Sequence, residues 1–148
     1  MRDIKFRGKV NRAYFSKADN VPEFDGFVFG TPDTRMLNVP GAEKWRKEHL
    51  MVDLPCIVAM TRDGWPRSVV VIEDTIGEFT GLHDKHGREI YEGDIIRHTN
   101  GQKKDDSGNW VDNTDEIIVT YDGGSFNICG LCKVENSIEI IGNIYDKL

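Results

Sequence analysis

The sequence predicts an α+β protein that is predominantly β, with an irregular N-terminal region and one short helix packed on a C-terminal, SH3-like small β-barrel. Three observations lead there. Several short apolar stretches alternate with charges at the period of two that half-buried strands require. After residue 75 such stretches follow one another closely, separated by tight-turn signals, as in small barrels. The 15 glycines among 148 residues also favour many turns over long helices.

In chain order, Ile4 and Phe6 alternate with Lys5 and Arg7, then Val10, Tyr14 and Phe15 follow, which reads as a half-buried strand with Gly8 at a turn or bulge. Residues 24–30 are a second strand, and glycine and proline make residues 30–41 loop. Residues 41–50 place Ala42, Trp45, His49 and Leu50 at helical spacing; so short a helix depends on docking Trp45. Residues 56–60 and 69–72 read as buried strands of a hairpin turning at Asp63-Gly64.

Residues 78–82 form the next strand, and Asp84-Lys85-His86-Gly87 is a turn with glycine where a positive φ is needed. The chain returns over residues 88–91, turns at Glu92-Gly93-Asp94 and starts another strand at Ile95. Residues 99–115 are polar and read as a mobile hairpin tip or loop. Strands at 116–121, 125–128 and 137–145 complete the set, and closing them into a barrel would remove exposed sheet edges. The organisation is one domain, residues 1–148, compatible with a subdivision into 1–74 and 75–148.

Composition narrows the function classes. With 39% hydrophobic residues the chain can build a core without metal or disulfides. Nineteen basic against 25 acidic residues leave a net charge of −6, which argues against broad nonspecific nucleic-acid binding. The three cysteines, Cys56, Cys129 and Cys132, read as reduced thiols of a cytosolic protein. The first residues lack the pattern of a signal peptide, and no apolar run is long enough to span a bilayer. A cytoplasmic protein with no membrane partner is expected.

The string Ile76-Gly77-Glu78-Phe79-Thr80-Gly81-Leu82-His83-Asp84-Lys85-His86-Gly87-Arg88-Glu89-Ile90-Tyr91-Glu92-Gly93-Asp94-Ile95-Ile96-Arg97 strongly resembles the YopX family, found mainly in phages and prophages of bacteria. Ile4-Lys5-Phe6-Arg7 looks like the family's opening, Val119-Thr120-Tyr121-Asp122 like its late strand, and Ile141-Gly142-Asn143-Ile144-Tyr145 like its ending. The resemblance implies a phage or prophage accessory protein in the cytoplasm of a bacterial host, assembled as a homo-oligomer. It implies architectural roles for the motif residues Gly81, Leu82, Gly87, Tyr91, Gly93 and Asp94, with Phe79, Ile90 and Ile95 in the core. It transfers no catalytic residue and no cofactor.

Three constellations carry chemistry of their own. His83 and His86 are spaced H-x-x-H, and Cys129 and Cys132 C-x-x-C, which together would suit tetrahedral zinc. The competing account is a turn with exposed histidines and cysteines that merely pack; a redox role for the cysteine pair would need a βαβ setting that the pattern lacks. The carboxylates Asp84, Glu89, Glu92 and Asp94 could hold Mg²⁺ or act as acid and base, but Asp at turns commonly bonds its own backbone. Neither a phosphate-cradling glycine loop nor a nucleophile elbow occurs.

The third constellation is basic. Lys5, Arg7, Lys9 and Arg12, flanked by Arg2 and Lys17 and interleaved with Phe6, Tyr14 and Phe15, could bind nucleic acid through phosphates and stacked bases. The regular alternation favours instead a strand with core aromatics and solvated cations. The same surface could dock the acidic 105–116 segment of another subunit. The sequence therefore points to a non-enzymatic, oligomeric interaction protein, with nucleic-acid binding as the alternative and zinc binding as a third reading.

Overall fold

In the computed structural model, the described residues are 5–12, 21–33, 55–128 and 135–146. The expected helix over residues 41–50 lies outside them. The chain is predominantly β, and its only described helical elements are single 3-10 turns at Glu73–Thr75 and Glu135–Ser137. Among the described residues no helix is long and apolar enough to cross a membrane. Two compact units divide the chain, Ile4–Glu78 and Phe79–Leu148.

The first unit is an antiparallel sheet of β1 (Phe6–Lys9), β2 (Phe27–Asp33), β3 (Cys56–Met60) and β4 (Pro66–Val70), in the order β4-β3-β2-β1. Alternation sets its two faces, because successive strand residues point to opposite sides. Phe6 and Val10 fall on the side of Val21, Val28, Ile57, Ala59, Val69 and Val71, which form the core. An isolated bridge joins Val10 to Val71, and the Ile72 N–H donates to the Lys9 carbonyl at 2.8 Å, so the chain leaving β4 returns alongside β1. The start of β5 (Gly77–His83) pairs with β1 through Arg7↔Gly77 and Phe6↔Glu78.

The second unit holds three ladders. The rest of β5 pairs with β6 (Glu89–Tyr91); β7 (Asp94–Lys104) lies between β11 (Ile138–Asn143) and β8 (Trp110–Ile118); and β9 (Tyr121–Asp122) forms a short ribbon with β10 (Ser125–Phe126). Leu82, Ile90, Ile96, Val119, Phe126, Ile128 and Ile138 make its core. No closed barrel is found among the described residues, in contrast to the SH3-like barrel expected over residues 75–148. The ladders β5-β6, β11-β7-β8 and β9-β10 are joined by no strand pairing among the described residues, and β7 and β8 continue past the end of β11, whose pairing with β7 stops at Ile138↔His98. Residues 99–115, expected as a mobile tip or loop, are mostly ladder.

Candidate functional site

The resemblance motif runs from Ile76, just before β5, into β7, and three of its glycines take the conformation that turns and bulges need. Gly81, Gly87 and Gly93 have φ of 84°, 79° and 89°. Gly93 is further confined by a close approach: a Cβ there would stand 2.6 Å from Cε2 of Tyr145. Its N–H donates to the Val119 carbonyl and its carbonyl accepts from the Ile144 N–H, each at 2.9 Å. Leu82 is in the core, and Tyr91 is buried with its ring 5.5 Å from that of Phe79 and its hydroxyl donating to Glu89 at 2.7 Å.

The two buried carboxylates of the motif are engaged by backbone. Asp94 Oδ2 accepts from the Tyr91 N–H at 2.8 Å. Asp84, only 4% exposed, accepts at Oδ1 from the N–H groups of His86 and Arg88, both at 2.9 Å, and at Oδ2 from the Ile140 N–H at 3.2 Å. Burial works against the charged form of Asp84, but the N–H groups of Arg88, Ile140 and His86, with the His86 ring, outweigh it and hold the pKa below the ordinary value. The Asp84 carboxylate thus ties its own turn to β11.

His83 and His86 occupy different settings. His83 is half-buried with its ring edge-on to Phe79, at 5.5 Å and 74°. His86 is exposed, its Nε2 3.7 Å from a Glu139 oxygen. Lys85 lies 3.2 Å from the other oxygen of Glu139, and this hydrogen-bonded cation, ahead of His86, lowers the Glu139 pKa. Cys129 and Cys132 lie outside the described residues. Among the described residues no three His, Cys, Asp or Glu side chains are grouped as metal ligands.

The basic strand is organised around an aromatic ring. Arg7, 7% exposed, carries its guanidinium 4.3 Å from the centroid of the Phe27 ring, and Lys9 Nζ lies 5.7 Å from the same ring. This is a cation–π arrangement across a strand pair, where the sequence pattern pointed to solvated side chains. Lys5 is half-buried, and the Lys9 N–H donates to Thr75 Oγ1 at 2.8 Å. Exposed Arg12 pairs with Glu23 through both terminal nitrogens, at 2.7 and 3.1 Å, which raises its pKa through the hydrogen bond first and the charge second.

The most exposed element is the outer half of the β7–β8 hairpin. Beyond His98 nearly every residue of both strands is exposed, so the ribbon has no buried face there. Its register shifts between Thr99↔Thr114 and Gln102↔Asp112, where Gly101 takes a φ of 69°. Trp110 is 65% exposed, with Lys104 Nζ 5.2 Å from its ring centroid, and Gln102 Nε2 donates to Asp112 at 3.4 Å. Nearer the core, Ile118 and Ile141 are also exposed. The sequence pattern reads here as a polar hairpin tip or loop. The signal that could have found the arm is the separation of charge: Lys103 and Lys104 precede the Gly108 turn, and Asp112, Asp115 and Glu116 follow it.

Compared with known proteins, the chain matches the family model described as YopX protein over residues 40–147. No curated protein matches it.

Proposed function

The chain belongs to the YopX protein family, and on that premise we propose that it is a non-catalytic interaction module, a phage or prophage accessory protein that assembles as a homo-oligomer. The observation that carries the reading is the wet three-stranded sheet β11-β7-β8, which exposes Trp110, Ile118 and Ile141. Trp110 and Ile118 stand on β8 and Ile141 on β11, and large apolar side chains exposed on one sheet favour a partner over water. The motif's carboxylates support a structural role, since Asp84 and Asp94 accept backbone N–H bonds.

Nucleic-acid binding through Lys5, Arg7, Lys9 and Arg12 draws less support, because Arg7 is buried over Phe27 and Arg12 is engaged by Glu23. Zinc at His83, His86, Cys129 and Cys132 has no geometric support among the described residues. Native mass spectrometry of the full chain tests the preferred reading. The expected result is one defined mass above that of a single chain. A single-chain mass at every concentration would overturn it.

A further inference from the structure

The outer half of the β7–β8 hairpin is two strands long and has no core. Isolated two-stranded hairpins are marginal in water, and a third strand is the ordinary remedy. Among the described residues no strand pairs with the outer edge of β8, nor with that of β7 beyond His98. Open edges of this kind accept further strands through backbone hydrogen bonds, and charges on them decide which strands are admitted.

The two edges carry opposite charge. On its open length beyond His98, β7 bears Lys103 and Lys104 and no carboxylate; β8 bears Asp112, Asp115 and Glu116 and no cation. Within the hairpin that complementarity is already in use, with Arg97 3.4 Å from Glu116. We propose that the hairpin docks side by side with the same hairpin of a second copy of this chain, the acidic β8 edge of one against the basic β7 edge of the next. The order β7-β8-β7-β8 is antiparallel throughout, so the neighbour continues the ladder that the hairpin itself begins.

A twofold pairing of β8 with its own copy is the rival arrangement. Centred on Thr114, it would set Asp112 opposite Glu116, and like charges directly opposite destabilise. Head-to-tail pairing avoids that clash. It is also heterologous, so each copy both gives and receives an edge, and the contact closes into a ring wherever its rotation permits.

The inference rests on the oligomeric reading, and the experiment separates the two. Native mass spectrometry compares the full chain with three variants. One replaces residues 101–112 by an Asn-Gly turn joining Asn100 to Asn113, which removes no residue of the core. The second carries Lys103→Glu with Lys104→Glu, making both edges acidic; the third carries Asp112→Lys with Asp115→Lys, making both edges basic. The full chain is expected to assemble, and each variant alone to lose assembly. An equimolar mixture of the second and third should regain it, because each then offers the edge the other lacks while neither repairs its own hairpin. If the full chain assembles and the shortened variant does so equally well, or the mixture fails to recover, the docking proposal falls and the oligomeric reading stands. A monomeric full chain would remove both.

Discussion

Asp84 and Asp105 open turns with the same internal hydrogen bonds, in opposite surroundings. In residues 84–88, Asp84 Oδ1 accepts from the N–H groups of His86 and Arg88, the Asp84 N–H donates to the Arg88 carbonyl at 2.8 Å, and Gly87 has a φ of 79°. In residues 105–109, Asp105 Oδ1 accepts from Ser107 and Asn109 at 2.9 and 2.8 Å, the Asp105 N–H donates to the Asn109 carbonyl at 2.9 Å, and Gly108 has a φ of 81°. Each is a five-residue hairpin turn of the kind completed by a left-handed glycine. The difference is context. Asp84 is buried and reaches β11 through Ile140; Asp105 is exposed at the tip of the arm. One local design therefore fastens a core in one place and ends a solvent-exposed ribbon in the other.

Truncating each aspartate breaks the comparison most sharply. Asp84→Ala strands N–H groups that its carboxylate serves inside the fold and should lower unfolding free energy by about 2–4 kcal/mol. Asp105→Ala exposes its two donors to water and should cost under about 1 kcal/mol, felt as local opening rather than global instability. Urea unfolding measures the first, and amide exchange at Ser107 and Asn109 the second. Equal global losses would mean that context does not set the value of the turn.

Titration sharpens the same contrast. The folded pKa of Asp84 lies below its ordinary value, so its contribution is fully present above the unfolded carboxylate value, about 4, and is lost as pH falls through the folded value. Asp84→Asn retains an Oδ1 acceptor for the turn but sets an amide NH₂ against the Ile140 N–H. The stability gap between the parent and Asp84→Asn should be widest near neutrality and shrink as pH falls below about 4. The depressed Glu139 carboxyl titrates in both proteins and largely cancels in the difference. Urea midpoints across pH 3–7, a range set by ordinary carboxylate values, would show a constant gap if Asp84 mattered only through its shape.

The two turns were not equally legible in sequence. Residues 84–87 were readable because strands with apolar alternation flank them, so Gly87 fell where a hairpin must reverse. Residues 105–109 carry the same chemistry, Asp first and Gly fourth, yet the strands around them face water on both sides. Without a buried face there is no period of two to detect, and a genuine ladder reads as a polar loop. The basic strand shows the converse. Alternation placed a strand at β1 with Phe6 on its core side, but Gly8, expected at a turn or bulge, pairs in unbroken register with Val28, and nothing local says that Phe27 lies across from Lys9 and covers Arg7. Cross-strand partners are fixed by tertiary pairing, and so was the long ladder of the arm.

Residues 61–65 extend the comparison to a third turn with threonine in the first position. The Thr61 N–H donates to the Trp65 carbonyl at 2.8 Å, the Gly64 N–H to the Thr61 carbonyl at 2.9 Å, and Gly64 has a φ of 85°. Here a hydroxyl replaces the carboxylate: Thr61 Oγ1 accepts from the Trp65 N–H at 3.0 Å. Because Trp65 is exposed, water competes for whatever the first side chain offers, and a stronger acceptor gains little. Thr61→Asp should therefore keep the hairpin and change unfolding free energy by less than about 0.5 kcal/mol. The reverse exchange, Asp84→Thr, should cost several times more, since one hydroxyl cannot serve both its turn and the Ile140 N–H. Similar urea midpoints for the two exchanges would show that burial, rather than the identity of the acceptor, had been given too much weight.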